Sequence, residues 1–247
     1  ALVFRELQAP YGAFVEGLNA DGTLDAVVIL GIADPMALAG LAALRHPIVL
    51  VDSAWPTGGR PVDKVRLDGS ASSFDAVTHL IHLGHRDIGL LNYLPDTPAA
   101  RQRREAYQRA LVAAQMPVRP ERIYTCECNS VAAYAAMAAL FRQPREQLPT
   151  AFFCTTDELA VGLMAAAKDA GYSVPGDFSV TGFGDLGMFT WPPLSTVRIP
   201  IETMGARAIE WIERRRVEPT APVVEAVVTT EFMQRGSCAP VGRAGKG

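Results

Sequence analysis

Short apolar runs recur along this chain, and each is followed by a stretch with helical spacing. The runs are ALVF (1–4), LDAVVIL (24–30), PIVLVD (47–52), KVRLD (64–68), DIGLLN (87–92), RIYTC (122–126), TAFFCT (150–155), FSVTGF (178–183), STVRI (195–199) and VVEAVVTTEF (223–232). The early ones are apolar almost without a break, which marks strands buried on both faces of a parallel sheet. Between them lie helical patterns. SASSFDAVTHLIHLGH opens on serines that can cap a helix and stops at Gly84, and DELAVGLMAAAKDAGY stops at Gly171. This alternation predicts an α/β fold with parallel sheets. About ten strands are many for one twisted sheet, so the 247 residues predict two lobes.

Charge narrows the partners. Charged residues are 20% of the chain and the net charge is −3, without the basic excess that a DNA-gripping surface carries. The densest basic runs, RQRR (101–104) and RRR (214–216), sit in helical segments beside Glu105, Glu210, Glu213 and Glu218. Solvated helix faces are predicted for most of these charges. No apolar stretch approaches the ~20 residues of a membrane span. The opening ALVFRELQAP has neither a basic leader nor a long apolar core, so no membrane partner is predicted. Cys126, Cys128, Cys154 and Cys238 include one C-x-C pair with no second cluster at metal-binding spacing. Free thiols in a reducing cytoplasm are expected, with no metal site.

Residues 182–187 read G-x-G-x-x-G after a probable strand. A dinucleotide fingerprint needs a helix after the glycines, its N-terminus facing the pyrophosphate. Here Pro192 and Pro193 follow too soon for a helix of useful length. The expectation is a flexible loop at the C-terminal end of a strand, where open α/β sheets place ligands. No G-x-S-x-G, H-E-x-x-H or Walker loop occurs, so neither an enzyme activity nor a cofactor is predicted. His46, His79, His82 and His85 are expected to serve local structure, although His79 and His82 are spaced to share a helix face. Asp52 closes an apolar parallel strand, which leaves ligand contact and turn capping both open.

At PTAFFCTTDELAVGLMAAAKDAGYSVPGDFSVTGF (149–183) and PPLSTV (192–197) the chain resembles the ligand-sensing core of the lactose-repressor/galactose-repressor family of bacterial transcription regulators. VTHLIHLGHRDIGLL, ARQRREAYQRAL and EFMQRGS agree in order and spacing, so the resemblance spans residues 24–238. It implies two Rossmann-like lobes of the periplasmic-binding-protein type, joined by three crossovers, with the effector in the cleft between them. The crossovers would fall near 66–68, 197–199 and 223–225. The N-terminal lobe would be 1–66 with 198–224, and the C-terminal lobe 67–197 with 225–247. The family's headpiece, hinge, first core strand and first core helix find no counterpart in this sequence, and the expectation is that the native protein is longer.

The resemblance also implies site residues. Asp52 matches an acidic ligand contact. Arg103 matches an arginine that clamps hydroxyls or a carboxylate. Thr156, before Asp157, stands where many members have asparagine. Gly184, before Asp185, replaces an aspartate of sugar-binding members. Ile199 replaces a polar contact, Cys128 an aromatic that stacks on sugar, and Ala99 a hydroxyl. These changes remove hydrogen-bonding or stacking groups and argue against an ordinary hexose. Phe183, Phe189 and Trp191 are expected either to line the cleft or to pack internally. The implied function is a homodimeric cytoplasmic regulator core whose effector, a sugar or other small metabolite, modulates operator DNA binding by a helix-turn-helix headpiece. The competing reading is a periplasmic solute-binding protein of a transport system.

Overall fold

The computed structural model describes residues 5–7, 9–32, 34–53, 61–185, 187 and 189–242, without the side chain of residue 35. The run expected as a strand at 1–4 lies outside the described residues. The chain divides into two compact units, one of residues 1–68 and 200–228, the other of 69–199 and 229–247. It therefore passes between them three times.

The first unit holds a four-stranded sheet in the order β1, β2, β3, β9. The strands are β1 (Val27–Leu30), β2 (Ile48–Val51), β3 (Asp63–Asp68) and β9 (Glu225–Thr229). β1, β2 and β3 are parallel, and all of β2 is buried. Helices α1 (Tyr11–Ala20) and α2 (Pro35–Leu41) pack on each other. Val15 and Leu18 of α1 share a core with Ile29, Leu41, Ile48 and Leu50. Helix α7 (Ile201–Val217) lies on β2 and β3. It buries Met204, Ala208 and Trp211, whose spacing places them on one face of a helix.

A buried ion pair fixes that helix. Asp63 is 1% exposed, and Arg215 grips both its carboxylate oxygens at 2.7 Å. The same oxygens take the Val224 N–H, while the guanidinium also donates to the carbonyls of Pro219, Ala221 and Pro222. Burial opposes the carboxylate's charge, but the Arg215 and Val224 bonds outweigh it and hold the Asp63 carboxyl below its ordinary value. Of the RRR run, Arg216 matches the solvated-face expectation, pairing with Glu213 on the surface, and Arg215 departs from it.

The second unit holds a six-stranded sheet in the order β10, β8, β7, β6, β4, β5. The strands are β4 (Ile88–Leu94), β5 (Ile123–Glu127), β6 (Ala151–Cys154), β7 (Ser179–Gly184), β8 (Ser195–Arg198) and β10 (Glu231–Met233). All pairings are parallel except β10 with β8. The run expected as one strand at 223–232 is thus two. Its first part completes the first unit's sheet and its second part adds an antiparallel edge to the second. The third passage consequently lies at 228–229, later than the 223–225 implied by resemblance, because β9 must run its length beside β3 before the chain leaves.

Helices α3 (Ser70–His82) and α4 (Pro98–Ala113) pair, as do α5 (Ser130–Leu140) and α6 (Asp157–Asp169). Gly84 and Gly171 stand just past α3 and α6 at φ 93° and 84°, as helix stops. An aromatic cluster of Phe141, Phe152, Tyr172 and Phe178 fills the core under α5 and α6.

His85 is buried at the opposite end of the sheet from the helix N-termini. Nδ1 lies 2.9 Å from the Thr150 hydroxyl, and Nε2 lies 2.9 Å from Ser179 Oγ and 3.1 Å from the Ala239 carbonyl. Burial pushes its imidazole below the ordinary 6.5, more than the Ala239 bond raises it. A histidine lowered in this way favours the fold in its neutral form. Its contribution is present above about pH 6.5 and is withdrawn as the pH falls through the lower folded value. His79, against Phe232, is lowered by burial too.

Two outcomes test these contacts. Asp63→Ala, which leaves Arg215 without its carboxylate, is expected to cost about 3–5 kcal/mol, read from urea unfolding. The urea midpoint is expected to drop between pH 7.5 and 5.0, with a shallower drop in His85→Gln; an unchanged slope would exclude His85 as a source.

Candidate functional site

In a parallel sheet the side chains at the C-terminal strand ends meet the loops that lead into helices. In the second unit those ends bring together most of the residues singled out from sequence. Consecutive residues of β7 point to opposite faces. Phe183 turns toward α3 and α4, and Gly182 toward the start of α6.

On the first face, Phe183 is buried and carries the Arg103 guanidinium 3.6 Å above its ring centre. Arg103 comes from α4, is only 7% exposed, and donates from Nη1 to the Thr155 carbonyl at 2.6 Å. The cation sits on the electron-rich ring face. Phe183 therefore packs beneath the arginine, which answers one of the alternatives left open above. Arg101 and Arg104 of the same run pair with Asp96 at the surface.

Thr156 caps α6, its hydroxyl accepting from the Leu159 N–H at 3.4 Å. Cys128, exposed after β5, has its thiol against that hydroxyl and within the field of Arg103. Arg103, Thr156, Cys128 and Phe183 thus form one group.

The second group centres on Asp157, the first residue of α6 and 4% exposed. Oδ1 accepts from the Thr196 hydroxyl and Oδ2 from the Asp185 N–H, each at 2.6 Å. Burial pushes this carboxyl above its ordinary value, only partly offset by the two bonds. The carboxylate thereby latches the exit of β7 to β8. Gly182 makes room for it, since a Cβ there would fall 2.3 Å from Oδ1.

Asp185 follows with φ 57°, a left-handed conformation that an aspartate adopts more readily than most residues. Its carboxylate is held by Arg235 and Arg198 and kept below its ordinary value, chiefly by Arg235. Gly184 is buried, and its carbonyl accepts the N–H of half-buried Ile199 at 3.1 Å. Asp157 and Asp185 thus appear as internal fasteners. The sequence reading missed their partners Thr196, Arg198 and Arg235. The period of β8 was a signal, because Thr196 and Arg198 lie in register with Gly182 and Gly184 and share their face.

Among the described residues no helix starts between the G-x-G-x-x-G and Pro192, as the prolines require. Phe189 and Trp191 stand almost wholly exposed in this loop, so neither packs internally. In the first unit, Asp52 is exposed just past β2, also in a left-handed conformation at φ 44°, and its N–H donates to the Val65 carbonyl. Among the described residues no three His, Cys, Asp or Glu side chains gather as a metal site, and no helix is long and apolar enough to cross a membrane.

A periplasmic binding protein-like domain model matches residues 77–238. The chain is 31% identical over 180 residues to the probable HTH-type transcriptional repressor ExuR of Bacillus subtilis, covering 72% of this chain and 54% of that protein. It is 34% identical over 236 residues to the HTH-type transcriptional regulator reg1 of Streptomyces lividans, covering 92% and 63%. The chain thus spans little more than half the length of these relatives. A LacI family transcriptional regulator from Enterococcus faecium, solved with bound ribose, superposes with a TM-score of 0.79 at 26% identity, over 94% of this chain and 85% of that one.

One outcome tests the latch. Asp157→Asn keeps size but places an amide where two donors converge, so one donor loses its acceptor. A loss of about 1–3 kcal/mol is expected, read from urea unfolding.

Proposed function

The chain belongs to the lactose-repressor/galactose-repressor family, in its periplasmic-binding-protein-like part, and from that premise we propose that it senses a small effector for a bacterial transcriptional regulator. The effector, a sugar or other small metabolite, binds at the C-terminal edge of the second unit's sheet with Arg103 as its anchor. The observation that carries this reading is a cation held nearly buried, 3.6 Å above the Phe183 ring centre, at that edge. A guanidinium so fixed offers its N–H fork with little entropy left to lose. One of its N–H groups donates to the Thr155 carbonyl.

Thr156 and Cys128 flank the anchor. Asp157, Gly184 and Asp185 shape the edge through the latch, and Ile199 and Trp191 border it. Asp52 is the polar candidate of the first unit. With Asp157 and Asp185 committed to internal partners, this edge offers few acceptors for sugar hydroxyls.

The effector acts by binding two conformations of the sensor unequally, and its differential affinity sets how far the equilibrium moves. We place the regulator in the cytoplasm as a homodimer. Its DNA contacts belong to a helix-turn-helix headpiece in the part of such regulators that this chain does not span. The transport-receptor reading draws no support from the relatives, which are named as regulators.

Calorimetric titration with ribose, xylitol, adenine and glucuronate tests the anchor. The best binder of the four is expected to lose at least about tenfold in affinity with Arg103→Lys, or about 1.4 kcal/mol, while circular dichroism stays unchanged. Equal affinity in the folded variant would sink the assignment.

A further inference from the structure

The second unit has another concave site, at the opposite edge of its sheet from Arg103. His85, Thr150 and Asp177 lie just before β4, β6 and β7, the edge where those parallel strands begin. With Arg145, Pro175 and Pro240 they line a cavity of about 170 Å³, the size of a small organic molecule.

Arg145 gives this cavity its chemistry. Its guanidinium lies 4.4 Å from the Phe178 ring centre and donates to the carbonyls of Asp177 at 2.7 Å and Pro149 at 3.4 Å. Among the described residues no carboxylate pairs with it. The nearby Asp177 carboxylate is turned away, its Oδ2 taking the N–H and hydroxyl of Ser173 at 2.8 Å. The fork is thus fixed in place by an aromatic face and two carbonyls with its charge unmatched. Proline rings and Val241 form an apolar wall beside it.

A planar fork beside an apolar wall fits a carboxylate with a short hydrocarbon tail. Carboxylate geometry matches two parallel N–H donors, and the tail removes apolar surface from water. We propose that this cavity is a second ligand site, binding a short-chain monocarboxylate through Arg145. The wall includes 239–242, where His85 and Ser179 hold the Ala239 carbonyl and the Val241 N–H reaches the Leu83 carbonyl. An occupant would therefore also brace the C-terminal segment.

The test is thermal unfolding at constant ionic strength and pH 7.5, with butyrate titrated against chloride and phosphate. A saturable rise in Tm with butyrate is expected, absent in Arg145→Gln and in Pro240→Trp, which crowds the mouth and leaves Arg145 in place. The rise is expected to persist in Arg103→Lys, which separates this site from the effector edge. No saturable rise in the unaltered protein, a rise retained in both cavity variants, or an equal rise with phosphate would each overturn the proposal.

Discussion

One buried carboxylate organises the edge of the second unit's sheet where its parallel strands end. Asp157 begins α6, receives the Thr196 hydroxyl from β8, and receives the Asp185 N–H where β7 ends. Helix, strand and loop thus meet at one charge, and its burial is tolerated because both oxygens have donors. The loop that follows inherits its direction from this point. Asp185 turns through a left-handed conformation and is pinned on its far side by Arg198 and Arg235. On the other face of the same strand, Phe183 holds Arg103. The two groups are set by one alternation of β7, Gly182 on one face and Phe183 on the other.

Much of the fold was legible because parallel strands buried on both faces must be nearly continuous in apolar residues, and their helices must stop. Residues 87–92, 150–155 and 178–183 announced β4, β6 and β7, and Gly84 and Gly171 announced helix ends. The split at 223–232 was hidden for a physical reason. Successive strands without a turn between them carry one uninterrupted β-favouring pattern, and only the choice of neighbour separates β9 from β10.

The candidate site was legible in part. Arg103, Asp157 and Asp185 were singled out but not what they touch, because the distances from Asp157 to Thr196 and from Asp185 to Arg235 in sequence carry no local signal. The burial of Arg215 and of Arg103 was hidden for the same reason. Each sits in a run of arginines that looks like a solvated face, and burial of one member depends on a partner far along the chain. The glycine motif is the converse case. Its first glycine is needed for the approach of Asp157 rather than for a phosphate.

The three passages of the chain between units bear on the order in which the protein is made. Arg215 follows Asp63 by 152 residues and Val224 follows it by 161. At bacterial-scale elongation rates of roughly 5–20 residues per second, that carboxylate waits roughly 8–30 s for its cation. The second unit waits as well, since β10 and the Ser237 hydroxyl that joins β7 to β8 follow β9 in sequence. The first unit cannot close before Val224 is made, nor the second before Ser237. While the residues between β3 and β9 are being made, the nascent chain therefore carries two unfinished sheets at once, with open strand edges exposed to other chains.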